Sequence, residues 1–305
     1  MTGASKRFQR AMITGATGGI GFEIARGLAP YIDELILPAR NQKKAEQVVF
    51  DLKNEFPELS FRVLHMDLSD LQTIRAMCDR LVDEGAEINL LVLNAGIIPL
   101  GEREPQVSTD GLDLVFETNY LANFALVKGL LPLLKAGHAR VVFQGSLGGS
   151  FGKLGSEPGE PGAGAARAYQ QSKIALGLFG MELDRRSRAG GWGISVQLAH
   201  PGVTPGSEIA PALRRMIPSN VVNWAVEHIG NSTEAGARPA IDAALTDSDQ
   251  LTMFAPEKWF GVFGPVTTRR PFKPYLDRAA AVRLWSRSEQ LLTAPRPQRG
   301  SQDQN

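Results

Sequence analysis

A tyrosine and a lysine stand four residues apart, at Tyr169 and Lys173, inside a segment with helical spacing. On a helix, side chains four residues apart project from the same face, so the phenol and the ammonium can act together. A free tyrosine has a pKa of about 10, and a neighbouring positive charge lowers that pKa by favouring the phenolate. The pair is therefore a candidate proton donor, although the same spacing also arises in ordinary surface pairs.

Ser146 follows a short apolar segment, 139–143, that is typical of a buried strand. A hydroxyl at the end of a strand can donate a hydrogen bond to the carbonyl oxygen of a substrate, the atom that gains negative charge when hydride reaches the carbon. Ser146, Tyr169 and Lys173 together indicate chemistry on a carbonyl or alcohol group.

A glycine-rich turn lies near the N-terminus, between a short apolar run and a segment of helical spacing. Such a turn lets the backbone approach a pyrophosphate, which the N-terminus of the following helix stabilises. Glycine is also used in tight turns for steric reasons alone. We expect this turn to bind a dinucleotide because it opens the first helix of an alternating chain, and its predicted contacts are Gly15, Thr17, Gly18, Gly19, Ile20 and Gly21.

Apolar strand patterns alternate with helical patterns along the first two hundred residues. The predicted strands are 11–14, 34–39, 61–66, 88–93, 139–143 and 194–199, and the predicted helices between them are 22–29, 42–56, 70–82, 109–134 and 166–189. Asn41 is expected to cap the second helix, and Ser69 with Gln72 to form a capping box for the third. Because parallel strands need helical crossovers, the alternation predicts an α/β fold with a doubly wound parallel sheet, the Rossmann fold.

Two regions interrupt the alternation. Residues 152–164 are rich in Gly, Pro and Glu and are predicted to form a loop. Beyond residue 201, helices are predicted at 221–229, 233–245 and 276–292, whereas 253–274 is predicted to be irregular. This last segment is rich in aromatic residues, which either line a substrate pocket or pack the final helix against the edge of the sheet. They are Phe254, Trp259, Phe260, Phe263, Phe272 and Tyr275.

We therefore expect one nucleotide-binding domain over 1–295, with substrate-side segments at 150–165 and 203–275 and a flexible tail at 296–305.

The 33 basic and 32 acidic residues give a net charge of +1, so the chain has no overall positive field that would attract nucleic acid or an anionic membrane. One cysteine, Cys78, and four histidines make a metal site improbable. Neither a signal peptide nor a membrane span of about 20 apolar residues is predicted, so we expect a soluble, cytoplasmic protein.

Taken together, these motifs resemble the short-chain dehydrogenase/reductase family. The cofactor motif TGxxxGIG of that family appears at 14–21, and its YxxxK motif appears at Tyr169 and Lys173. Further family motifs occur in order and at family spacing, namely Asp67-Leu68, Asn94-Ala95-Gly96, Asn119, Ser146 and Pro201-Gly202. The long 152–164 loop, the RVVFQGS and HPG patterns and the C-terminal RLWSRSEQL segment are similar to the branch of retinol-dehydrogenase-like and protochlorophyllide-reductase-like enzymes.

The resemblance implies an NAD(P)-dependent oxidoreductase. It places Asp67 and Leu68 near adenine, and Asn94, Ala95 and Gly96 along the edge of the cofactor. It also implies that Asn119 holds a water that connects Lys173 to a proton relay.

One position departs from the family pattern. The family commonly has a threonine four residues after the glycine of its Pro-Gly motif, where it anchors the nicotinamide carboxamide. Gly206 occupies that position here, and Thr204 or Ser207 is expected to substitute. The cofactor contacts implied near this motif are therefore Pro201, Gly202 and Thr204.

The residue after the second predicted strand is Arg40, and Asn41 follows it. NAD-selective sites of this fold place an acid there to bind the ribose 2′-hydroxyl. Arg40 instead offers a planar guanidinium suited to a 2′-phosphate, and Lys43 and Lys44 add positive charge. We therefore expect NADP(H) to be preferred over NAD(H), the alternative being that these are ordinary solvated charges.

The predicted function is hydride transfer between NADPH and a lipophilic ketone or aldehyde and its alcohol, with Tyr169 as the general acid in reduction. An epimerase or dehydratase on the same scaffold is one alternative, and a non-catalytic NADP-sensing protein is another. The expected partner is a small molecule and not nucleic acid, and both a homodimer and a monomer are compatible with the sequence. The identity of the substrate is carried by loops, from which a single sequence predicts only size and polarity.

Overall fold

The computed structural model describes residues 7–98, 106–162, 164–203, 232–258 and 261–294. Its strands are β1 (Phe8–Ile13), β2 (Ile32–Ala39), β3 (Ser60–His65), β4 (Leu90–Leu93), β5 (Arg140–Gln144), β6 (Ser195–Ala199), β7 (Met253–Lys258) and β8 (Phe263–Arg269). Within the described residues they form one sheet in the order β3-β2-β1-β4-β5-β6-β7-β8. Each strand pairs in parallel with its neighbours in this order, except that β8 runs antiparallel to β7.

Helices cover both faces of this sheet. They are α1 (Gly19–Leu28), α2 (Gln42–Glu55), α3 (Leu71–Asp83), α4 (Leu114–Phe116), α5 (Ala122–Gly129), α6 (Leu131–Ala136), α7 (Ala165–Gly190), α8 (Thr233–Leu245) and α9 (Arg278–Thr293). A π-helical turn, Glu117–Leu121, joins α4 to α5. One core lies under α1, α2 and α8, and the other under α3, α5, α7 and α9. This architecture confirms the predicted doubly wound parallel sheet.

The strand β4, whose sequence is LLVL, illustrates why a central strand of this sheet is apolar on both of its faces. Leu90 and Val92 belong to the core under α1 and α8, whereas Leu91 and Leu93 belong to the core on the opposite face. Successive side chains of a strand point to opposite faces, and helices cover both faces of a parallel sheet. Each of these fully buried side chains contributes roughly 1.5 to 3 kcal/mol of hydrophobic free energy.

The prediction of one continuous helix over 109–134 is wrong. Helical structure begins only at Leu114, because the Asp113 side chain accepts a hydrogen bond from the backbone N–H of Phe116 and caps the first turn. Just before it, Val107 pairs with Asp113 in an isolated β-bridge. The helix is then interrupted again after α5, because Pro132 in the first turn of α6 has no N–H to continue the hydrogen-bond pattern.

The prediction of an irregular segment at 253–274 is also wrong. Within it β7 and β8 form an antiparallel hairpin, so the described chain has two strands more than the six that were predicted. Gly261 and Gly264 have φ angles of +96° and +104° at the turn and at the start of β8, a backbone conformation that glycine adopts without strain. These glycines and the neighbouring prolines obscure the alternation of a strand pattern.

The caps of two helices test the predicted boundaries. Asn41 caps α2 as predicted, because its side chain accepts a hydrogen bond from Lys44 N. For α3 the predicted cap is wrong: Asp70 accepts from Gln72 N, and Ser69 instead donates to Asp67.

The predicted helix 221–229 and the predicted tail 296–305 lie outside the described residues. Among the helices that the structure describes, none is long and apolar enough to cross a membrane.

Candidate active site

A cleft of about 540 Å³ lies at the carboxyl ends of the parallel strands. Ligands of open α/β sheets bind at this edge, where the loops that follow the strands converge. Most of the predicted site residues line it, namely Gly15, Thr17, Gly18, Ile20, Gly21, Arg40, Asn41, Asp67, Leu68, Asn94, Ala95, Gly96, Ser146, Tyr169, Lys173, Pro201 and Gly202. Gly19 and Asn119 do not line it, and Thr204 lies outside the described residues.

The glycine turn after β1 has the geometry that a phosphate site needs. Gly15 and Gly19 have φ angles of +70° and +54°. A Cβ atom at Gly21 would lie 2.1 Å from the carbonyl oxygen of Gly15, so a larger residue would force the turn open. Within the described part of the chain, no side chain caps the N-terminus of α1, which leaves its first N–H groups for an anion. The turn therefore fits the pyrophosphate of a dinucleotide.

Thr14 and Asn94 join the loop after β1 to the loop after β4. Thr14 Oγ1 accepts hydrogen bonds from the N–H groups of Asn94 and Ala95, both at 3.0 Å. In return, Asn94 Nδ2 donates to the carbonyl oxygen of Thr14 at 3.0 Å. These bonds fix the relative position of two loops that line the cleft.

The three residues with candidate acid and polarising roles lie together at the other end of the cleft. Tyr169 Oη donates a hydrogen bond to Ser146 Oγ at 3.0 Å. Lys173 Nζ lies 5.9 Å from the centre of the Tyr169 ring and donates to the carbonyl oxygen of Gln144 at 3.3 Å. Both α7 side chains line the cleft, as their spacing of four residues predicts.

Burial lowers the pKa of Lys173 to about 8, because the ammonium loses its hydration inside the protein. The unfolded chain therefore binds more protons than the folded chain between about pH 8 and the ordinary lysine value of 10.5. Folding stability rises with pH wherever the unfolded state binds more protons. The buried lysine therefore lowers the free energy of unfolding most below pH 8, and this destabilisation disappears as the pH rises to 10.5.

We expect the ligand-free wild type to gain stability relative to a Lys173→Met variant as the pH rises from about 8 to 10.5. Urea unfolding of both proteins at a series of pH values measures the difference between their free energies of unfolding. Titrating groups that do not interact with Lys173 contribute equally to both proteins and cancel in this difference. A difference that stays constant over the range would contradict a depressed pKa.

Asn119 lies in the π-helical turn and is buried. Its Oδ1 accepts from Ile97 N at 2.7 Å, and its Nδ2 donates to Ile97 O at 2.9 Å and to Ser172 Oγ at 3.0 Å. A Cβ atom at Gly96 would lie 3.0 Å from Asn119 Oδ1 and 3.4 Å from Lys173 Nζ. Asn119 therefore ties the loop after β4 to α7 beside the lysine, and its part in a water relay stays a prediction.

The opposite end of the cleft carries charge. Arg40 keeps 75% of its side chain exposed, and its guanidinium lies 3.9 Å from Asp67 Oδ2. The other carboxylate oxygen of Asp67 accepts hydrogen bonds from the backbone and the hydroxyl of Ser69. Lys44 also lines the cleft, whereas Lys43 does not. Because exposed ion pairs contribute little, Arg40 is available to a ligand at modest cost.

Several lining residues were not identified from the sequence, namely Pro38, Ala39, Met66, Ile97, Ile98, Thr118, Gln144 and Gly145. Most of them lie at or just beyond the end of a strand, and that position was the available signal. Gln144 was missed because the predicted strand stopped at 143, one residue before the end of β5. Thr118 carried no signal because the π-helical turn was not predicted.

Three other features are structural. Cys78 is buried in the core, and burial raises the pKa of its thiol to about 12, so the thiol stays protonated at neutral pH. Burial lowers the pKa of His200 to about 3, so its imidazole is uncharged beside Phe272. Of the aromatic residues at 253–275, Phe254 and Tyr275 are buried in the two cores. For these two residues this favours a role in packing the final helix over a role in lining a substrate pocket. Trp259 and Phe260 lie outside the described residues.

The sheet, the glycine turn and the Ser–Tyr–Lys cluster define a nucleotide-binding protein of the Rossmann class. The short chain dehydrogenase family matches residues 9–217, and the chain belongs to that family. It is 33% identical to human (Homo sapiens) retinol dehydrogenase 13 over 197 residues, which cover 63% of this chain but only 58% of that protein.

Two further relatives align over most of the chain and support the retinol-dehydrogenase-like branch. Retinol dehydrogenase 14 of Mus musculus is 28% identical over 303 residues, which cover 92% of this chain and 85% of that protein. The chloroplastic protochlorophyllide reductase of Chlamydomonas reinhardtii is 27% identical in an alignment of length 320, which covers 95% of this chain and 79% of that protein.

Solved structures agree with this fold. An uncharacterised protein from Mycobacterium paratuberculosis superposes with a TM-score of 0.74, at 27% identity and 97% coverage of both chains. The NADP complex of Pseudomonas aeruginosa RhlG superposes with a TM-score of 0.60 at 24% identity, over 82% of this chain and 95% of that one, and shows the fold alone.

Proposed function

We propose that this protein is an NADPH-dependent reductase or dehydrogenase that transfers hydride between the cofactor and a lipophilic ketone or aldehyde and its alcohol. The observation that carries the proposal is the 3.0 Å hydrogen bond from Tyr169 Oη to Ser146 Oγ, with Lys173 beside it in the same cleft as the glycine turn. Membership of the short-chain dehydrogenase family and the relatives named retinol dehydrogenase support it. Retinol is a lipophilic alcohol, which suits the substrate class proposed here.

The residues that would hold the cofactor span the cleft. The glycine turn and the N-terminus of α1 would bind the pyrophosphate, and Arg40 with Lys44 would bind the 2′-phosphate of the adenosine ribose. When bound, the nicotinamide supplies or accepts the hydride. Lys173 lies at the far end of the cleft from Arg40, where it would bind the nicotinamide ribose.

The proton is handled by this chain's own side chains. In reduction, Ser146 Oγ donates a hydrogen bond to the substrate's carbonyl oxygen and stabilises the negative charge that develops there. Tyr169 Oη then delivers its proton to the same oxygen as a general acid. The charge on Lys173 stabilises the phenolate left behind, because opposite charges attract and the buried ammonium is little screened by water. In oxidation, the same groups act in reverse.

The test is incubation with NADPH and a panel of lipophilic ketones and aldehydes, followed by absorbance of the reduced nicotinamide and by chromatography of the products. We expect NADPH oxidation that matches alcohol formation. A changed product without net NADPH oxidation would indicate an epimerase or dehydratase instead. Tight NADPH binding without any turnover would indicate a sensing protein.

A further inference from the structure

Gln144 is the last residue of β5, and it lines the cleft together with Tyr169 and Lys173. Only 4% of this residue is exposed, and among the residues that the structure describes neither Oε1 nor Nε2 of its side chain has a hydrogen-bond partner. Its backbone carbonyl, in contrast, accepts the bond from Lys173 Nζ. Buried polar side chains are nearly always hydrogen-bonded, because otherwise they lose their bonds to water without replacement. The free amide of Gln144 therefore indicates a bound group that completes it.

A second buried glutamine provides a comparison within the same sheet. Gln197 lies on the adjacent strand β6 and is fully buried. Its Nε2 donates to the carbonyl oxygens of Ser248 and Gln250, at 2.8 and 3.1 Å, and its Oε1 accepts from Thr252 N at 2.9 Å. The segment before β7 thus satisfies the buried amide of Gln197, whereas no described residue satisfies the amide of Gln144, which lines the cleft.

The position of Gln144 indicates which ligand group it meets. In β5, Val142 lies in the core under α1 and α8, and Phe143 lies in the core on the opposite face. Since side chains alternate along a strand, Gln144 projects to the face of α1, the helix that carries the glycine turn. Along the cleft it belongs to the end with Tyr169 and Lys173, away from Arg40. A dinucleotide bound from the glycine turn toward Tyr169 would bring its nicotinamide to this amide.

We infer that Gln144 binds the carboxamide of the nicotinamide ring, with Nε2 donating to the carboxamide oxygen and Oε1 accepting from its nitrogen. A primary amide has a donor and an acceptor in one plane, and another primary amide is its direct complement. The inference rests on the proposed function, because it requires a nicotinamide cofactor. It also gives the carboxamide a side-chain partner in a sequence where glycine, Gly206, replaces the usual threonine.

Gln144→Met tests this inference, because methionine keeps the length of the side chain and removes both hydrogen bonds. Calorimetric titration of the ligand-free protein measures the dissociation constant for NADPH and for 2′-phospho-ADP-ribose, which lacks nicotinamide. We expect NADPH to bind about five- to 100-fold more weakly to the variant, as for the loss of two ordinary hydrogen bonds. The affinity for 2′-phospho-ADP-ribose should be unchanged.

Two controls separate this role from a structural one. The melting temperature of ligand-free Gln144→Met should equal or exceed that of the wild type, because the substitution removes an unsatisfied buried amide. Gln197→Met should melt at a lower temperature and keep the wild-type affinity for NADPH, because its amide bonds only protein groups. A Gln144→Met protein with lowered melting temperature and unchanged NADPH affinity would overturn the inference.

The 3-acetylpyridine analogue of NADP⁺ makes the test specific, because a methyl group replaces the nitrogen of the carboxamide. The wild type should bind the analogue more weakly than NADP⁺, and Gln144→Met should bind the two alike. Equal discrimination by both proteins would show that Gln144 meets another group, such as one on the substrate, and would overturn the inference alone. A wild type that binds neither NADPH nor 2′-phospho-ADP-ribose would overturn the proposed function itself.

Discussion

Replacing Tyr169 with phenylalanine is expected to lower turnover by about 10² to 10⁴, the usual contribution of a positioned general acid. The change removes the hydroxyl that donates to Ser146 Oγ and leaves the ring in place. Turnover therefore falls because the carbonyl oxygen receives no proton, while the fold and the affinity for NADPH stay close to wild type. Steady-state kinetics with the best ketone substrate and titration with NADPH measure the two effects separately.

Tyr120→Phe is the matched control for this substitution. Tyr120 is fully buried, and its hydroxyl pairs with Ser288 Oγ at 2.6 Å, away from the cleft. Its loss should lower the melting temperature and leave turnover near wild type, because the hydroxyl contacts only protein. If Tyr169→Phe turned over substrate within about threefold of wild type, far from the contribution of a general acid, another group would have to supply the proton.

Arg40→Asp is expected to reverse the cofactor preference. The wild type should use NADPH more efficiently than NADH, because the guanidinium can form charge-assisted hydrogen bonds to the 2′-phosphate. Such bonds contribute about 1.5 to 3 kcal/mol, so their loss should change the ratio of the two kcat/KM values by roughly 10- to 100-fold. The new carboxylate should also repel the phosphate and accept a hydrogen bond from the 2′-hydroxyl of NADH.

Lys43→Asp controls for the charge change alone. Lys43 lies near Arg40 in the sequence but does not line the cleft, so its substitution alters the long-range field without removing a contact. It should change the ratio far less than Arg40→Asp, and less still at high salt, where surface charges are screened. A wild type that prefers NADH, or equal effects of both substitutions, would contradict a specific role for Arg40.

The sequence predicted the six strands β1 to β6, because most of them contain an apolar run that is buried between helices on both faces, such as Leu35, Ile36 and Leu37 in β2. It did not predict β7 and β8, since Pro256, Gly261 and Gly264 interrupt the pattern and the register shifts between Pro256 and Lys258. It also merged the helical turns after residue 109 into one helix. Helical periodicity alone does not reveal the cap at Asp113 or the break before Pro132.

For the candidate site, most of the residues that the sequence proposed from their types and motifs line one cleft, and their roles stay predictions. The sequence could not locate residues whose importance arises only from the surroundings. The burial of Lys173 and the unsatisfied amide of Gln144 depend on contacts among segments far apart in the chain. Likewise, Asn119 was identified from the resemblance, but its bonds to Ile97 and Ser172 follow from a helical turn that periodicity does not indicate.

The π-helical turn at Glu117–Leu121 should tolerate neither the insertion nor the deletion of a residue. Each residue of an α-helix advances the direction of its side chains by about 100°. Deleting one residue from the turn would rotate the preceding part of the helix against α5 by that amount. Either Asn119 would lose its hydrogen bonds to Ile97, or the apolar side chains of α5 would rotate out of the core. Substitutions can be accommodated here more readily than insertions or deletions, so relatives that keep the asparagine should align across these residues without a gap.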